Sequence, residues 1–267
     1  MDQGNNPSPS LTGPPWGNNG SGTAGFPVLP PELRVPTVTA EQMREVDRAM
    51  VEDLGIELLQ MMENAGRSLA EVALRRFAPS RVTVLAGRGG NGGGGLAAAR
   101  HLANRGAGVT VVLSHPPEEM SPAARRQLDI ISRMGVHTSD EPLPADLIVD
   151  ALIGYSLRGD PRSRARALIE WATGAGTPVL SLDTPSGLDV DTGRASQPCV
   201  RAGATLTLAL PKPGLVGGSP LVGDLYLADI SVPAIVYERL GLQVPRLFGE
   251  GPIVELVVPG SPENWRR

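Results

Sequence analysis

The chain has 267 residues, of which 41% are hydrophobic and 19% charged, and its formal net charge is −4. This composition is typical of a globular protein, and the acidic balance argues against binding nucleic acid through bulk electrostatics. One cysteine and three histidines exclude a disulfide framework and argue against a zinc site, and nine aromatic residues are too few for a base-stacking platform.

The sequence pattern favours neither a membrane span nor a secretory signal. No stretch approaches the roughly eighteen apolar residues of a membrane span, and the start lacks the basic and apolar regions of a secretory signal. We therefore expect a soluble, cytoplasmic protein without membrane or nucleic-acid partners. Residues 1–36 are rich in Gly, Pro and Asn without hydrophobic periodicity, which predicts a disordered tail, and residues 243–267 form an extension of uncertain order.

Order is predicted to begin near Val38 with two helices. Thr39 and Gln42 have the spacing of a capping box, and apolar residues follow at intervals of three or four up to Leu54. A second helical pattern covers residues 57–77. Both patterns predict helices with one apolar face.

The rest of the domain alternates short apolar runs with helical patterns. Strands are predicted at 82–86, 109–113, 147–150, 179–183, 204–210 and 225–228, and helices at 95–104, 123–134 and 164–173. This alternation predicts an α/β fold with a mostly parallel sheet between two helical layers, preceded by the helical lead-in. Ligands of such sheets bind beyond the carboxyl ends of the strands.

The loop after the first strand is glycine-rich. Gly87, Gly89 and Gly92 fit the G-x-G-x-x-G dinucleotide pattern between a strand and a helix, which favours phosphate binding over a flexible linker. The second strand ends in Ser-His-Pro at 114–116, with no carboxylate before Glu118. The missing acidic residue argues against an NAD-dependent dehydrogenase.

Two aspartates end later strands. Asp150 and Asp183 follow buried apolar runs, where a carboxylate needs donors or a cation. Each alone fits a turn cap equally well, but together with the glycine loop they suggest a site, with oxygen ligands suited to a hard cation. Lys212, in a Pro-Lys-Pro-Gly turn, either borders this pocket or is a solvated turn lysine.

The ordered set of motifs resembles the NAD(P)H-hydrate epimerase family over residues 37–242. It comprises the glycine loop, Asp-Ala-Leu-Ile-Gly-Tyr-Ser-Leu-Arg-Gly-Asp at 150–160, Asp-Thr-Pro-Ser-Gly-Leu-Asp at 183–189 and the lead-in with Asp47. The chain departs from the family's usual loop at Gly90 and Gly94, where the family carries Asn and Asp.

The resemblance implies a Rossmann-like α/β/α sandwich, a homodimer and an isomerase that interconverts the R and S forms of NAD(P)H hydrated at C6 of the nicotinamide ring. It implies potassium bound by Asn91, Asp150 and Ser186, and Asp183 as the catalytic carboxylate and a substrate contact. The remaining substrate-binding residues that it implies are Gly90, Asn91, Gly92, Gly93, Gly94, Gly154, Tyr155, Ser156, Leu157, Arg158, Gly159 and Asp160. A separate NAD(P)H-hydrate dehydratase is the expected functional partner. The alternative is a non-catalytic dinucleotide- or protein-binding module built on the same fold.

Overall fold

A computed structural model describes residues 25–30, 32–157 and 159–257. Its helices are α1 Ala40–Arg48, α2 Leu58–Val72, α3 Gly90–Asn104, α4 Pro122–Arg133, α5 Ser163–Gly174, α6 Pro213–Val216 and α7 Ala234–Arg239. Its strands are β1 Arg81–Ala86, β2 Gly108–Leu113, β3 His137–Thr138, β4 Leu147–Ala151, β5 Val179–Leu182, β6 Ala204–Leu208, β7 Asp224–Ala228 and β8 Ile253–Leu256. No helix in these ranges is long and apolar enough to cross a membrane.

The strands form one sheet in the order β3-β2-β1-β4-β5-β6-β7-β8. All neighbours are parallel except β7 and β8, which are antiparallel. The predicted α/β fold with a mostly parallel sheet is therefore confirmed. The carboxyl ends of β1, β4 and β5, and the three loops that follow them, meet at one edge.

Helices cover both faces of this sheet. Val82, Val84 and Ala86 of β1 pack in the core shared with α1 to α4, whereas Leu85 packs in a second core with Ile169 of α5. This alternation is expected for a strand buried on both faces, because successive side chains point to opposite sides. The three-layer arrangement fixes which loops reach the carboxyl edge.

The lead-in begins as the sequence predicts. The Thr39 hydroxyl accepts a hydrogen bond from the Gln42 amide (3.2 Å), and the Gln42 side chain accepts one from the Thr39 amide (2.9 Å). This capping box satisfies two backbone donors that the first helical turn cannot pair itself. It starts α1 so that Asp47 lies in the third turn, on the side of the carboxyl edge.

Helix α3 begins five residues earlier than predicted, inside the glycine run. A β-carbon at Gly92 would stand 1.8 Å from the Gly87 carbonyl oxygen, and one at Gly95 would stand 2.4 Å from the Ala151 side chain. The close packing of α3 on the sheet outweighs the low helix propensity of glycine, about 1 kcal/mol per residue. The N-terminus of α3 therefore lies at the carboxyl edge of the sheet.

The chain ends differ from the predicted boundaries. Residues 25–30 lie within the predicted tail, yet Phe26 is buried and its ring meets Tyr226 edge-on at 5.3 Å. The Leu29 amide donates to the Glu255 carbonyl (3.0 Å), and the Glu255 amide donates to Pro27 (2.8 Å). Strand β8, within the extension of uncertain order, thus pairs with β7 on one side and with this segment on the other. Residues 1–24, also in the predicted tail, lie outside the described residues.

We expect Phe26→Ala to lower the free energy of unfolding by about 3 kcal/mol, because the substitution empties an aromatic site between Tyr226 and the Arg75 guanidinium. Urea denaturation measures the loss. Val28→Ala is the matched control, since Val28 is 53% exposed and should cost less than about 0.5 kcal/mol. Equal losses in the two variants would show that the buried Phe26 ring stabilises the fold no more than an exposed valine side chain does.

Candidate functional site

A groove of about 730 Å³ opens at the carboxyl edge of the sheet. Its walls include Asn91 from the start of α3, Gly154 from the loop after β4 and Asp183 from the loop after β5. The three loops that the sequence singled out therefore line one cavity. Its position agrees with the general rule for ligand binding in parallel sheets.

Asp183 and Lys212 form a buried ion pair in the groove wall. The Lys212 side chain is fully buried, and its ammonium donates to the Asp183 carboxylate, to the Thr207 hydroxyl (3.1 Å) and to the Leu208 carbonyl (2.9 Å). These three acceptors match the three N–H donors of a lysine ammonium. The three contacts therefore hold the Lys212 ammonium against the Asp183 carboxylate in one position.

The second oxygen of Asp183 points towards the loop after β4. It accepts a hydrogen bond from the Tyr155 amide at 3.2 Å. Asp183 itself has φ +66°, a left-handed conformation that aspartate and asparagine tolerate better than most residues. The backbone at this strand end turns sharply, which brings the carboxylate into the groove.

Tyr155 and Asp47 form a second polar pair. The Tyr155 hydroxyl donates to the Asp47 carboxylate at 2.5 Å. Burial raises the pKa of both groups above their usual values. The bond ties α1 to the loop after β4 and closes one side of the groove.

Asn91 and Asp183 approach each other across Gly154. A β-carbon at Gly154 would stand 3.3 Å from the Asn91 amide oxygen and 3.3 Å from a carboxylate oxygen of Asp183. The Asn91 amide nitrogen is buried and has no hydrogen-bond partner in the described part of the chain. A buried unpaired donor costs about 1–3 kcal/mol, so this nitrogen is suited to meeting a ligand atom.

Asp150 and Ser186 lie beneath the groove. The Asp150 carboxylate is fully buried and accepts hydrogen bonds from the Ser186 hydroxyl (2.6 Å), the Ser186 amide (2.8 Å) and the Ser181 hydroxyl (2.8 Å). Burial raises its pKa despite these donors. Asp150 and Ser186, two of the three predicted potassium ligands, are thus in direct contact, and Asn91, the third, lines the groove.

The glycines of the loop differ in whether a side chain would fit at their positions. Gly92 and Gly93 are buried, and a β-carbon at Gly93 would stand 2.6 Å from the Met62 side chain. A β-carbon at Gly94 would stand 2.8 Å from a Leu182 methyl group, whereas one at Gly90 meets no described atom within 4 Å. Of the two departures from the family pattern, Gly90 therefore leaves open space and Gly94 is packed against the sheet.

Several of the other predicted substrate-binding residues line the groove. Tyr155, Ser156, Leu157 and Asp160 line the groove, as do Gly90 and Gly94. Gly159 adopts φ +69°, which allows the loop to turn between them. Arg158 lies outside the described residues.

Two more residues line the groove: Lys212, for which the sequence left a place at the pocket and a solvated turn both open, and Asp47, to which it gave no role in the site. Lys212 is buried against Asp183 rather than solvated, and Asp47 lies in the groove wall. The pattern around Lys212 gave no sign of burial, because its partner lies 29 positions away in the chain. Asp47 stands out in the sequence only as part of the family resemblance.

Known proteins share both the sequence and the fold. A family profile described as "YjeF-related protein N-terminus" matches residues 58–214. A protein of Dehalogenimonas lykanthroporepellens named NAD(P)H-hydrate epimerase is 46% identical over 78% of this chain and 87% of its own length. One of Truepera radiovictrix with the same name is 39% identical over 77% of this chain and 94% of its own.

More distant matches extend the comparison. A bifunctional NAD(P)H-hydrate repair enzyme of Moorella thermoacetica is 40% identical over 73% of this chain, but the match spans only 40% of that protein. The crystal structure of a yeast protein superposes with a TM-score of 0.73 at 26% identity, over 83% of this chain and all of the yeast chain. Together with the groove and its motifs, these matches show that the chain belongs to the NAD(P)H-hydrate epimerase family, whose domain is the YjeF-related N-terminal fold.

Proposed function

We propose that the groove epimerises hydrated NADH or NADPH, interconverting the R and S forms at C6 of the nicotinamide ring. The observation that carries this proposal is the buried Asp183–Lys212 pair at the end of a groove of dinucleotide size. A positioned carboxylate can take up and return a proton at one atom. The protein is then an isomerase of nicotinamide cofactor repair, as the relatives' names support.

The chemistry requires proton movement at the C6 hydroxyl. In one route the hydroxyl takes a proton and leaves as water while the ring nitrogen supplies electrons, and water then adds to the other face and loses a proton. In the other route the hydroxyl loses its proton and becomes a carbonyl as the C6–N bond breaks, the ring nitrogen takes the electron pair and a proton, and the reverse steps close the ring on the opposite face. The first route needs a group that first gives a proton, and the second needs a group that first takes one. Because Asp183 is a carboxylate paired with the Lys212 ammonium, we assign it the second role, that of the base that takes up the hydroxyl proton and returns it.

Lys212 acts through Asp183 as a positioning residue. Its three donors are already used within the protein, so it has no donor left for the substrate. Its positive charge offsets the negative charge of the buried Asp183 carboxylate. Tyr155 and Asn91 contribute the polar groups that face Asp183 across Gly154.

The proposal includes a potassium ion held by Asn91, Asp150 and Ser186. The donors are all oxygen atoms and include one buried carboxylate, a set suited to a hard cation. The Thr184 hydroxyl in the same loop is buried and lacks a hydrogen-bond partner among the described residues, so the loop has a free oxygen. When bound, the ion would offset the charge of Asp150 and hold the loop that carries Ser186.

We expect potassium to raise the melting temperature of the protein relative to a tetramethylammonium salt. A ligand at 100 times its Kd stabilises the folded state by about 2.7 kcal/mol. Asp150→Asn should abolish this gain, whereas Ser181→Ala, which removes only a hydrogen bond to the same carboxylate, should keep it. Equal melting temperatures of the wild type in both salts would contradict the potassium site.

We infer a homodimer that delivers its S product to a separate NAD(P)H-hydrate dehydratase, and the bifunctional relatives support a second repair activity on the same substrate. Size-exclusion chromatography with light scattering tests the dimer.

The test of the function is the rate of exchange between isolated epimers. The purified protein is incubated with the R form of hydrated NADH or NADPH, and the S form is followed by chromatography against buffer alone. The proposal predicts equilibration well above the spontaneous rate. Exchange at the buffer rate, with intact NADH or NADPH still bound, would favour the non-catalytic binding module instead.

A further inference from the structure

The two ends of the groove differ in charge. At the β5 end lie Asp47, Asp183 and Lys212, which account for the proposed chemistry. At the β2 end the lining side chains are mostly cationic or hydroxyl-bearing: Arg88, Ser114, His115, Ser121 and Arg162. The proposed reaction makes no use of this second set.

Two hydrogen bonds join the segments around the end of β2. The Arg88 carbonyl accepts a hydrogen bond from the Ser121 amide (2.9 Å), which joins the loop after β1 to the start of α4. The Arg164 side chain donates a hydrogen bond to the carbonyl of Leu113 (2.9 Å), the last residue of β2. This second contact joins the first turn of α5, which Arg162 directly precedes, to the same strand end.

Both arginines remain available to an anion. Among the described residues, Arg162 has no carboxylate within ion-pair distance, and Arg88 has only Glu119, at 3.8 Å. Both side chains are exposed to the groove mouth. Asp160, the nearest acidic residue of the wall in sequence to Arg162, already accepts a hydrogen bond from the Gln197 amide (3.3 Å).

The distance between the two ends suits the two halves of a dinucleotide. In the sheet order, β2 and β5 are three strand spacings apart, about 14 Å. A nicotinamide ring at Asp183 therefore leaves the adenosine half near the end of β2. In parallel sheets of this kind an acidic residue there holds the ribose 2′-hydroxyl, and an arginine accommodates a 2′-phosphate.

We propose that Arg88 and Arg162, with the hydroxyl groups of Ser114 and Ser121, bind the 2′-phosphate, so that this protein prefers the phosphorylated dinucleotide, hydrated NADPH. The inference rests on the proposed function for its substrate, and adds the group that selects between the two cofactors. The Ser-His pair that replaces an acidic residue after β2 removes the charge that would repel this phosphate.

The test is a direct binding measurement that does not depend on exchange. Affinities of the wild type for intact NADPH and NADH, and for adenosine 2′,5′-bisphosphate and AMP, are compared by calorimetry with inorganic phosphate as the competitor. We expect the 2′-phosphorylated member of each pair to bind at least tenfold more tightly, the worth of one hydrogen bond to a charged group. Arg88→Ala with Arg162→Ala should remove this preference and leave the affinity for NADH unchanged.

The matched control is Arg126→Ala, which removes an exposed arginine from α4 outside the groove and should leave the preference intact. Equal affinity of the wild type for NADPH and NADH would overturn the proposal. So would an equal loss for both ligands in the double variant, because that result would place the arginines at the shared pyrophosphate. A protein that discriminates the two cofactors but shows no exchange would support this subsite and reject the epimerase function alone.

Discussion

Asp183→Asn is expected to lower the rate of exchange between the R and S epimers by about 10²–10⁴-fold, the usual contribution of a positioned acid or base. Asparagine keeps the shape of the side chain and tolerates the left-handed backbone at this position, with φ +66°. It also keeps an oxygen that can accept from Lys212. What it loses is the ability to take up and return a proton.

The measurement compares exchange rates and binding of intact NADPH in the same preparations. Binding should change far less than exchange, because the β2 end of the groove and the glycine loop remain. Asp189→Asn is the matched control: Asp189 belongs to the same loop, but its carboxylate caps the Thr192 amide (2.8 Å) instead of facing the groove. A folded Asp183→Asn variant with near-normal exchange would remove Asp183 from the mechanism.

Lys212→Met is expected to lower the free energy of unfolding by about 3–5 kcal/mol. The substitution has a similar volume but leaves the Asp183 carboxylate buried without its countercharge. It also removes donors from the Thr207 hydroxyl and the Leu208 carbonyl. Urea denaturation measures the loss.

The double variant Asp183→Asn with Lys212→Met separates charge from packing. Removing both members of a buried ion pair often costs little, whereas removing one leaves an uncompensated charge. We therefore expect the double variant to be more stable than either single variant. Losses that simply add would show that the two residues do not interact, contrary to the geometry.

The sheet was predictable from local patterns. Runs such as 82–86 and 109–113 are short, apolar and rich in β-branched residues, so each strand can be recognised from its own five residues. Once these strands are located, the glycine loop and the two aspartates are found at their carboxyl ends. For this reason the sequence alone identifies the three loops that line the groove.

The features that were missed depend on contacts distant in the chain. Strand β8 is only four residues long and is held by β7 and by residues 25–30, more than 220 positions earlier. The early start of α3 depends on the fit of glycines against Gly87 and Ala151. The burial of Lys212 depends on Asp183, and no local pattern distinguishes it from a solvated lysine.

The glycine loop shows how a motif can combine two roles. Gly87 and Gly92 are required by the close approach of the protein's own backbone, whereas Gly90 borders the groove. The G-x-G-x-x-G pattern predicts a phosphate-binding loop, whereas part of its glycine content serves packing. Sequence alone does not separate these roles, since both demand the absence of a side chain.

The most direct test of the account is the exchange rate of the Asp183→Asn, Lys212→Met double variant beside the wild type, with hydrated NADPH as substrate and unfolding measured on the same samples. We predict that the double variant is folded and retains less than about one hundredth of the wild-type exchange rate. A folded double variant that exchanges the epimers at the wild-type rate would contradict the claim that this buried pair carries the reaction.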